Sequence, residues 1–286
     1  MNRRGGRHSR KRGGSPLMTA ATVICVAVFL LSAGMLIRYW AEYAEGDALY
    51  DELGRARTES TPVPAPSGAS GGPGLPPEPS VTAEPPGPEA IAGMEIDFEA
   101  LLAINPDVVG WLYCPDTVID YPVVRGKDNS YYLHHLYDGT PNSNGSIFMD
   151  YRSSADFTDI NTLVYGHHMK SGKMFAGLEG YKKQAYYDAH PALYLFTPAG
   201  NYEIQVFAGI IQSGQLPPLP VSFSDEKSYT DLITGLMSKS TFSSDAAVPV
   251  FSPLITLVTC TYDYSDARYY LAGKLVKVGQ WQQAAG

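Results

Sequence analysis

A chain of 286 residues with 44% hydrophobic content can bury a full core and is longer than one typical domain of about 100–150 residues, so one folded domain with added segments is expected. Only 17% of residues are charged and the formal net charge is −8, which argues against a nucleic-acid binder that works by neutralising phosphates. Three cysteines exclude a disulfide-dense scaffold and a four-cysteine zinc site.

The first predicted element is a membrane-spanning helix. Residues 17–37 form 21 consecutive positions without a charge, rich in Val, Leu, Ile, Phe and Ala, enough helix to cross about 30 Å of hydrocarbon. Six bases precede it (Arg3, Arg4, Arg7, Arg10, Lys11, Arg12), and beyond Arg38 the chain holds 14 bases against 29 acids, a net of −15. The positive-inside rule then makes residues 1–16 a cytoplasmic basic tail, residues 17–37 the transmembrane anchor, and the remainder extracellular, with Tyr39, Trp40 and Tyr43 at the outer interface. A cleaved signal peptide is the competing reading; the apolar run exceeds the usual ~7–15 residues of such a peptide, and no clear Ala-x-Ala site follows.

Residues 38–93 are expected to be a juxtamembrane segment and a Pro/Gly-rich linker. Residues 41–53 can extend the helix, and residues 61–88 then hold ten of the 22 prolines without hydrophobic periodicity. Such chain favours extended polyproline II at about 3.1 Å per residue, so it reads as a stalk.

A folded domain is expected over residues 94–286. Asp97 before Phe98, Leu101, Leu102 and Ile104 fits a short capped helix ending near Pro106, and a briefer one is expected around Tyr132, Leu133, Leu136 and Tyr137. Most of the remainder reads as short strands, at 117–124, 145–151, 162–168, 193–197, 202–212, 254–261 and 269–278. Tyr202, Ile204, Val206, Ala208 and Ile210 alternate with period two, after a hairpin turn at Pro198-Ala-Gly-Asn201. Many short strands with turn signals suggest a mainly β barrel or sandwich. One helix interrupts them: Ser224 is the expected N-cap, and Tyr229, Leu232, Ile233, Leu236 and Met237 share one face.

Two segments carry chemistry. Ile255-Thr-Leu-Val-Thr-Cys260 is a buried-strand pattern ending in a thiol, with Arg268 eight residues on. A guanidinium stabilises thiolate and oxyanion charge alike, although a lone cysteine at a strand end is more often a small core residue. Asn161-Thr-Leu-Val-Tyr-Gly-His167-His168 supplies imidazole at another strand end, and thiol with imidazole suffices for acyl transfer. His134 and His135 beside His167 and His168 read as structural or exposed residues in preference to a metal site. Cys114 reads as a buried small residue beside Trp111; a disulfide to Cys260 is chemically allowed outside the cell but disables that thiol.

Thr256-Leu-Val-Thr-Cys260 resembles the TLxTC signature of sortases. Tyr165-Gly-His-His-Met-Lys170 followed by Gly172 and Met174-Phe175 resembles the histidine segment of their class B members, and Arg268 falls where their arginine does. Further similarity at Asn105-Pro-Asp-Val-Val-Gly-Trp-Leu112, Ile119-Asp-Tyr-Pro-Val-Val124 and Gly145-Ser-Ile-Phe-Met-Asp150 spreads the resemblance over about residues 95–280. It implies a closed, sortase-type β-barrel with peripheral helices, and a membrane-anchored cysteine transpeptidase of a Gram-positive surface that needs no metal or organic cofactor. By the same resemblance Cys260 is the nucleophile, His167, directly after the glycine, the proton carrier, and Arg268 the substrate and oxyanion clamp. The implied partners are secreted proteins with a C-terminal sorting signal, an acceptor amine on a peptidoglycan precursor or a pilin lysine, and the lipid bilayer through the N-terminal helix, with no nucleic acid. Val258 occupies a signature position where some relatives carry Ser. Another extracellular Cys/His cell-wall peptidase and a non-catalytic surface receptor are the alternatives.

Overall fold

The strand that ends in Cys260 is buried along its length until its last residue, and the fold follows from what surrounds it. The computed structural model describes residues 16–56, 58–59, 91 and 94–278. The expected stalk at 61–88 and almost all of the basic tail lie outside them. Helix α1 spans Pro16–Ala56, so the helix expected over the apolar run does continue through residues 41–53. It is the one helix among the described residues long and apolar enough to cross a membrane. The chain divides into two compact units, the first ending at Glu45 and the second starting at Gly46. Residues 46–56, expected as juxtamembrane chain, therefore share a unit with the barrel.

In the second unit, β1 (Thr58–Glu59) and β2 (Met94–Glu95) form a short antiparallel pair. Helix α2 (Phe98–Ile104) begins as expected, with the Asp97 carboxylate accepting from the Ala100 N–H at 2.9 Å. Eight strands then close a barrel: β3 (Val108–Tyr113), β4 (Asp120–Val124), β5 (Ile147–Met149), β6 (Asn161–Tyr165), β7 (Ala192–Thr197), β8 (Gly200–Ser213), β9 (Leu254–Cys260) and β10 (Ala267–Val278). Their order around the barrel is β10-β8-β7-β3-β4-β5-β6-β9, closed by the β9–β10 pair. Neighbours are antiparallel except β4 with β5 and β6 with β9. The closed barrel that the resemblance implies is present.

Helix α4 (Glu226–Ser238) lies in the connection between β8 and β9. Its Tyr229, Ile233 and Leu236 join Phe207, Ile210, Leu254 and Val258 in one apolar cluster. That cover explains why the period-two alternation of β8 holds at Ile204 and Val206 and then gives way to uninterrupted burial from Val206 to Ile210. The N-cap of α4 is Asp225, one residue later than expected, because Asp225 and Ser228 satisfy each other's backbone N–H groups in a capping box. Around Tyr132 only a single 3-10 turn forms, Tyr131–Leu133. A 3-10 helix at Phe175–Lys182 and helix α3 (Gln184–Ala189) follow the histidine segment.

Candidate active site

Register places the thiol. Antiparallel pairing sets Arg268 of β10 directly opposite Cys260 of β9, and residues opposite each other in a ladder point to the same face. Cys260 and Arg268 therefore stand side by side on the sheet, although eight residues separate them in sequence. The guanidinium lies along Gly214, where a Cβ would come within 2.8 Å of the Arg268 Nε.

Parallel pairing places the imidazole. Tyr165 at the end of β6 is level with Val258. The Gly166 N–H donates to the Val258 carbonyl at 3.1 Å, and the Thr259 hydroxyl donates to the Gly166 carbonyl at 2.8 Å. These bonds carry the chain past the strand end alongside Thr259 and Cys260. A Cβ at Gly166 would collide with the Ile147 Cδ1 and the Phe175 ring, so glycine is required for this passage. Strand β6 stops at Tyr165, shorter than the strand expected to reach residue 168. The two imidazoles still diverge. His167 Nε2 lies 2.8 Å from the Leu133 carbonyl. His168 Nδ1 lies 2.9 Å from the carbonyl of Cys260 itself. A carbonyl only accepts, so His167 carries a proton on Nε2.

His167, Cys260 and Arg268 line one cleft of about 370 Å³. Leu133, Phe148, Tyr165, Pro218 and Val258 supply apolar walls, and Asn129 and Thr259 supply polar groups. Cys260 is exposed, whereas Cys114 is fully buried, with its Sγ 3.9 Å from the Tyr181 hydroxyl. Burial pushes the Cys114 thiol up to about 11. All three cysteines are free. No group of three or more His, Cys, Asp or Glu side chains among the described residues is arranged to hold a metal.

Two supporting networks had no signal in the sequence. Under the cleft, the fully buried Asp150 carboxylate accepts from Arg152 Nε and Nη2, from the Tyr165 hydroxyl at 3.0 Å and from Asn129 Nδ2 at 3.1 Å. It thereby fixes two side chains of the cleft wall. Burial alone would raise this carboxyl, but the Arg152, Tyr165 and Asn129 hydrogen bonds outweigh it and hold it below the usual carboxylate range. A lowered folded-state value means that its stabilisation is present above the unfolded carboxyl range, near pH ~4, and fades as pH falls through the lowered value. Asp150→Asn is expected to cost about 1–3 kcal/mol at neutral pH and to flatten the acid limb of a thermal-midpoint profile below about pH 5. An unchanged acid limb would remove Asp150 from that role.

The second network sits behind the thiol. Lys182 Nζ contacts Glu179 at 2.7 Å, the Thr261 hydroxyl at 2.6 Å and Asp263 at 2.5 Å, tying the Cys260–Arg268 loop to the 3-10 helix. His168 Nε2 lies 3.9 Å from Glu179 on the same side.

No protein-family model matches the chain. It is 39% identical over 182 residues to Sortase B of Listeria monocytogenes, covering 63% of this chain and 74% of that one. It is 34% identical over 183 residues to Sortase B of Staphylococcus aureus, covering 63% and 75%. Among solved structures, a Staphylococcus aureus sortase B–substrate complex is similar with a TM-score of 0.61 at 34% identity, over 64% of this chain and 85% of that one. A Bacillus anthracis protein described as similar to sortase B superposes with a TM-score of 0.60 at 36% identity, over 64% and 83%.

Proposed function

Because the chain belongs to the sortase B family, we propose that it is a membrane-anchored cysteine transpeptidase that cleaves a C-terminal sorting motif and passes the acyl group to an amine. The observation that carries this reading is the meeting of Cys260, His167 and Arg268 in one cleft, from three separate strand ends.

In this mechanism the Cys260 thiolate attacks the carbonyl of a threonine in the sorting motif. The carbonyl π electrons move to oxygen, and Arg268 stabilises the resulting oxyanion. Collapse breaks the peptide bond, His167 gives its Nδ1 proton to the departing amine, and a thioester remains. An incoming amine attacks the thioester, loses a proton to His167 and releases Cys260. The apolar cleft walls suit an extended peptide. The acceptor is an amine of a peptidoglycan precursor or of a pilin lysine.

Incubating the protein with a library of sorting-type peptides and locating the trapped acyl group by mass spectrometry tests the reading. The expected product is a thioester on Cys260; a folded protein that forms no adduct with any peptide supports the receptor alternative.

The anchor reading is supported by α1, whose apolar side chains are exposed along the run. With its basic tail in the cytoplasm, the barrel stands outside the cell. Protease added to intact cells should release a folded barrel fragment by cutting near residues 61–88. Full protection of residues 61–88 against protease would reverse the orientation.

A further inference from the structure

His167 is bordered by two segments outside the strands, one at its ring and one at its backbone. On one side is Gly145, at φ +59, where a Cβ would stand 3.0 Å from His167 Cδ2. On the other is the turn through Lys173 and Met174, which ends where the Phe175 N–H donates to the His167 carbonyl at 3.0 Å. The end of α1 holds both segments. The Tyr50 hydroxyl donates to the Gly145 carbonyl at 2.9 Å and lies 3.1 Å from the Ser146 hydroxyl. Its ring meets Tyr121 edge-on at 5.4 Å, and the Tyr121 hydroxyl accepts from the Met174 N–H at 3.1 Å. On the same helix end Asp51, the next residue, and Asp47, about one turn earlier, flank the Lys173 ammonium at 2.9 and 3.7 Å.

We propose that Tyr50 is a positioning residue for His167: the last turns of α1 act as a clamp on the segment beside its ring and the segment bonded to its backbone. Tyr50 is only 5% exposed. Burial raises its phenol far above the usual value, with the Ser146 hydrogen bond pulling the other way, so the hydroxyl stays protonated and keeps donating to Gly145. Loops at a strand end have no ladder to fix them, and a displacement of about 1 Å at a catalytic group can cost as much as ~10²-fold in rate. The barrel domain alone, without residues 46–56, lacks this support.

The inference rests on His167 as proton carrier, and the test separates the two claims. The full chain, solubilised in detergent, is compared with Tyr50→Phe, which keeps the ring against Tyr121 but removes the hydroxyl, and with Lys173→Met. In chain labelled isotopically at histidine, the His167 imidazole resonance, assigned by its loss in His167→Ala, is expected to move in both variants. With the peptide recovered from the acyl-enzyme, kcat for acylation is expected to fall about threefold to tenfold at nearly unchanged KM, while the alkylation rate of Cys260 stays the same. An unmoved resonance with unchanged kcat in both folded variants would overturn the proposal. So would a parallel fall in thermal midpoint, KM and thiol reactivity, which marks a general packing role. Full acyl transfer by His167→Ala defeats the proton-carrier reading instead, and leaves the resonance shift to decide whether the clamp exists.

Discussion

Cys260→Ala is expected to form no acyl-enzyme with any peptide, while Arg268→Ala keeps a modifiable thiol and loses about 10²–10³-fold in acylation, ~3–4 kcal/mol of barrier. The two losses differ because the two side chains do different work from facing positions on β9 and β10. Without the sulfur there is no bond to form. Without the guanidinium the bond forms against an unstabilised oxyanion. Arg268→Lys should recover little: the guanidinium is planar and passes close to Gly214, whereas an ammonium is a point charge on a flexible stem and presents no fork. Alkylation separates these outcomes from misfolding. In the folded wild type and in Arg268→Ala, an iodoacetamide-type reagent should mark the exposed Cys260 and leave Cys114, buried and with its thiol raised, unmodified. Near-normal turnover by Arg268→Lys would reduce Arg268 to a local charge, and labelling of Cys114 at the rate of Cys260 would contradict the burial that separates them.

The sequence was legible where one local rule decided the outcome. Asp97 caps α2 because an acid precedes an apolar run, and α4 follows from five apolar residues on one helical face. The run Leu254–Cys260 is rich in β-branched residues, and its burial on both faces is what a strand between barrel core and covering helix requires. Legibility failed where the deciding contact was distant. Strand β3 carries a family resemblance but no strand signal of its own, since Val108–Tyr113 is almost wholly buried and shows no alternation. The end of β6 at Tyr165 is set by Gly166 threading between Ile147 and Phe175, and nothing near residue 166 announces those neighbours. Asp150 gathers Asn129, Arg152 and Tyr165 from three parts of the chain. The Glu179, Lys182 and Asp263 cluster joins a 3-10 helix to a loop some eighty residues later. Local pattern offers candidate side chains, the family resemblance selects among them, and long-range pairing chooses what holds them.

His167→Ala is expected to lose about 10²–10⁴-fold in acyl transfer, the usual worth of a positioned general acid and base, whereas His168→Ala should stay within about tenfold, ~1.4 kcal/mol. Strand parity cannot make this assignment, because the strand ends before either residue. The contacts can. His167 opens on the cleft that holds Cys260 and Arg268, and its bond to the Leu133 carbonyl spends only Nε2, so Nδ1 remains to carry the proton. His168 is also beside the thiol residue, but it reaches the Cys260 carbonyl and turns its other nitrogen toward Glu179. Its one hydrogen bond goes to the backbone of the thiol residue and its other nitrogen faces Glu179, and it does not line the cleft that holds His167 and Arg268. Losing that one hydrogen bond costs on the order of 1 kcal/mol, and the Lys182 network with Glu179, Thr261 and Asp263 still ties down the loop. Single-turnover acylation across about pH 5–9, with folding checked by thermal melt, measures both variants in the range where an imidazole titrates. The wild-type rate should depend on an ionisation that disappears in His167→Ala and persists in His168→Ala. A folded but inactive His168→Ala beside an active His167→Ala would exchange the roles of the two imidazoles and place the proton path through Glu179.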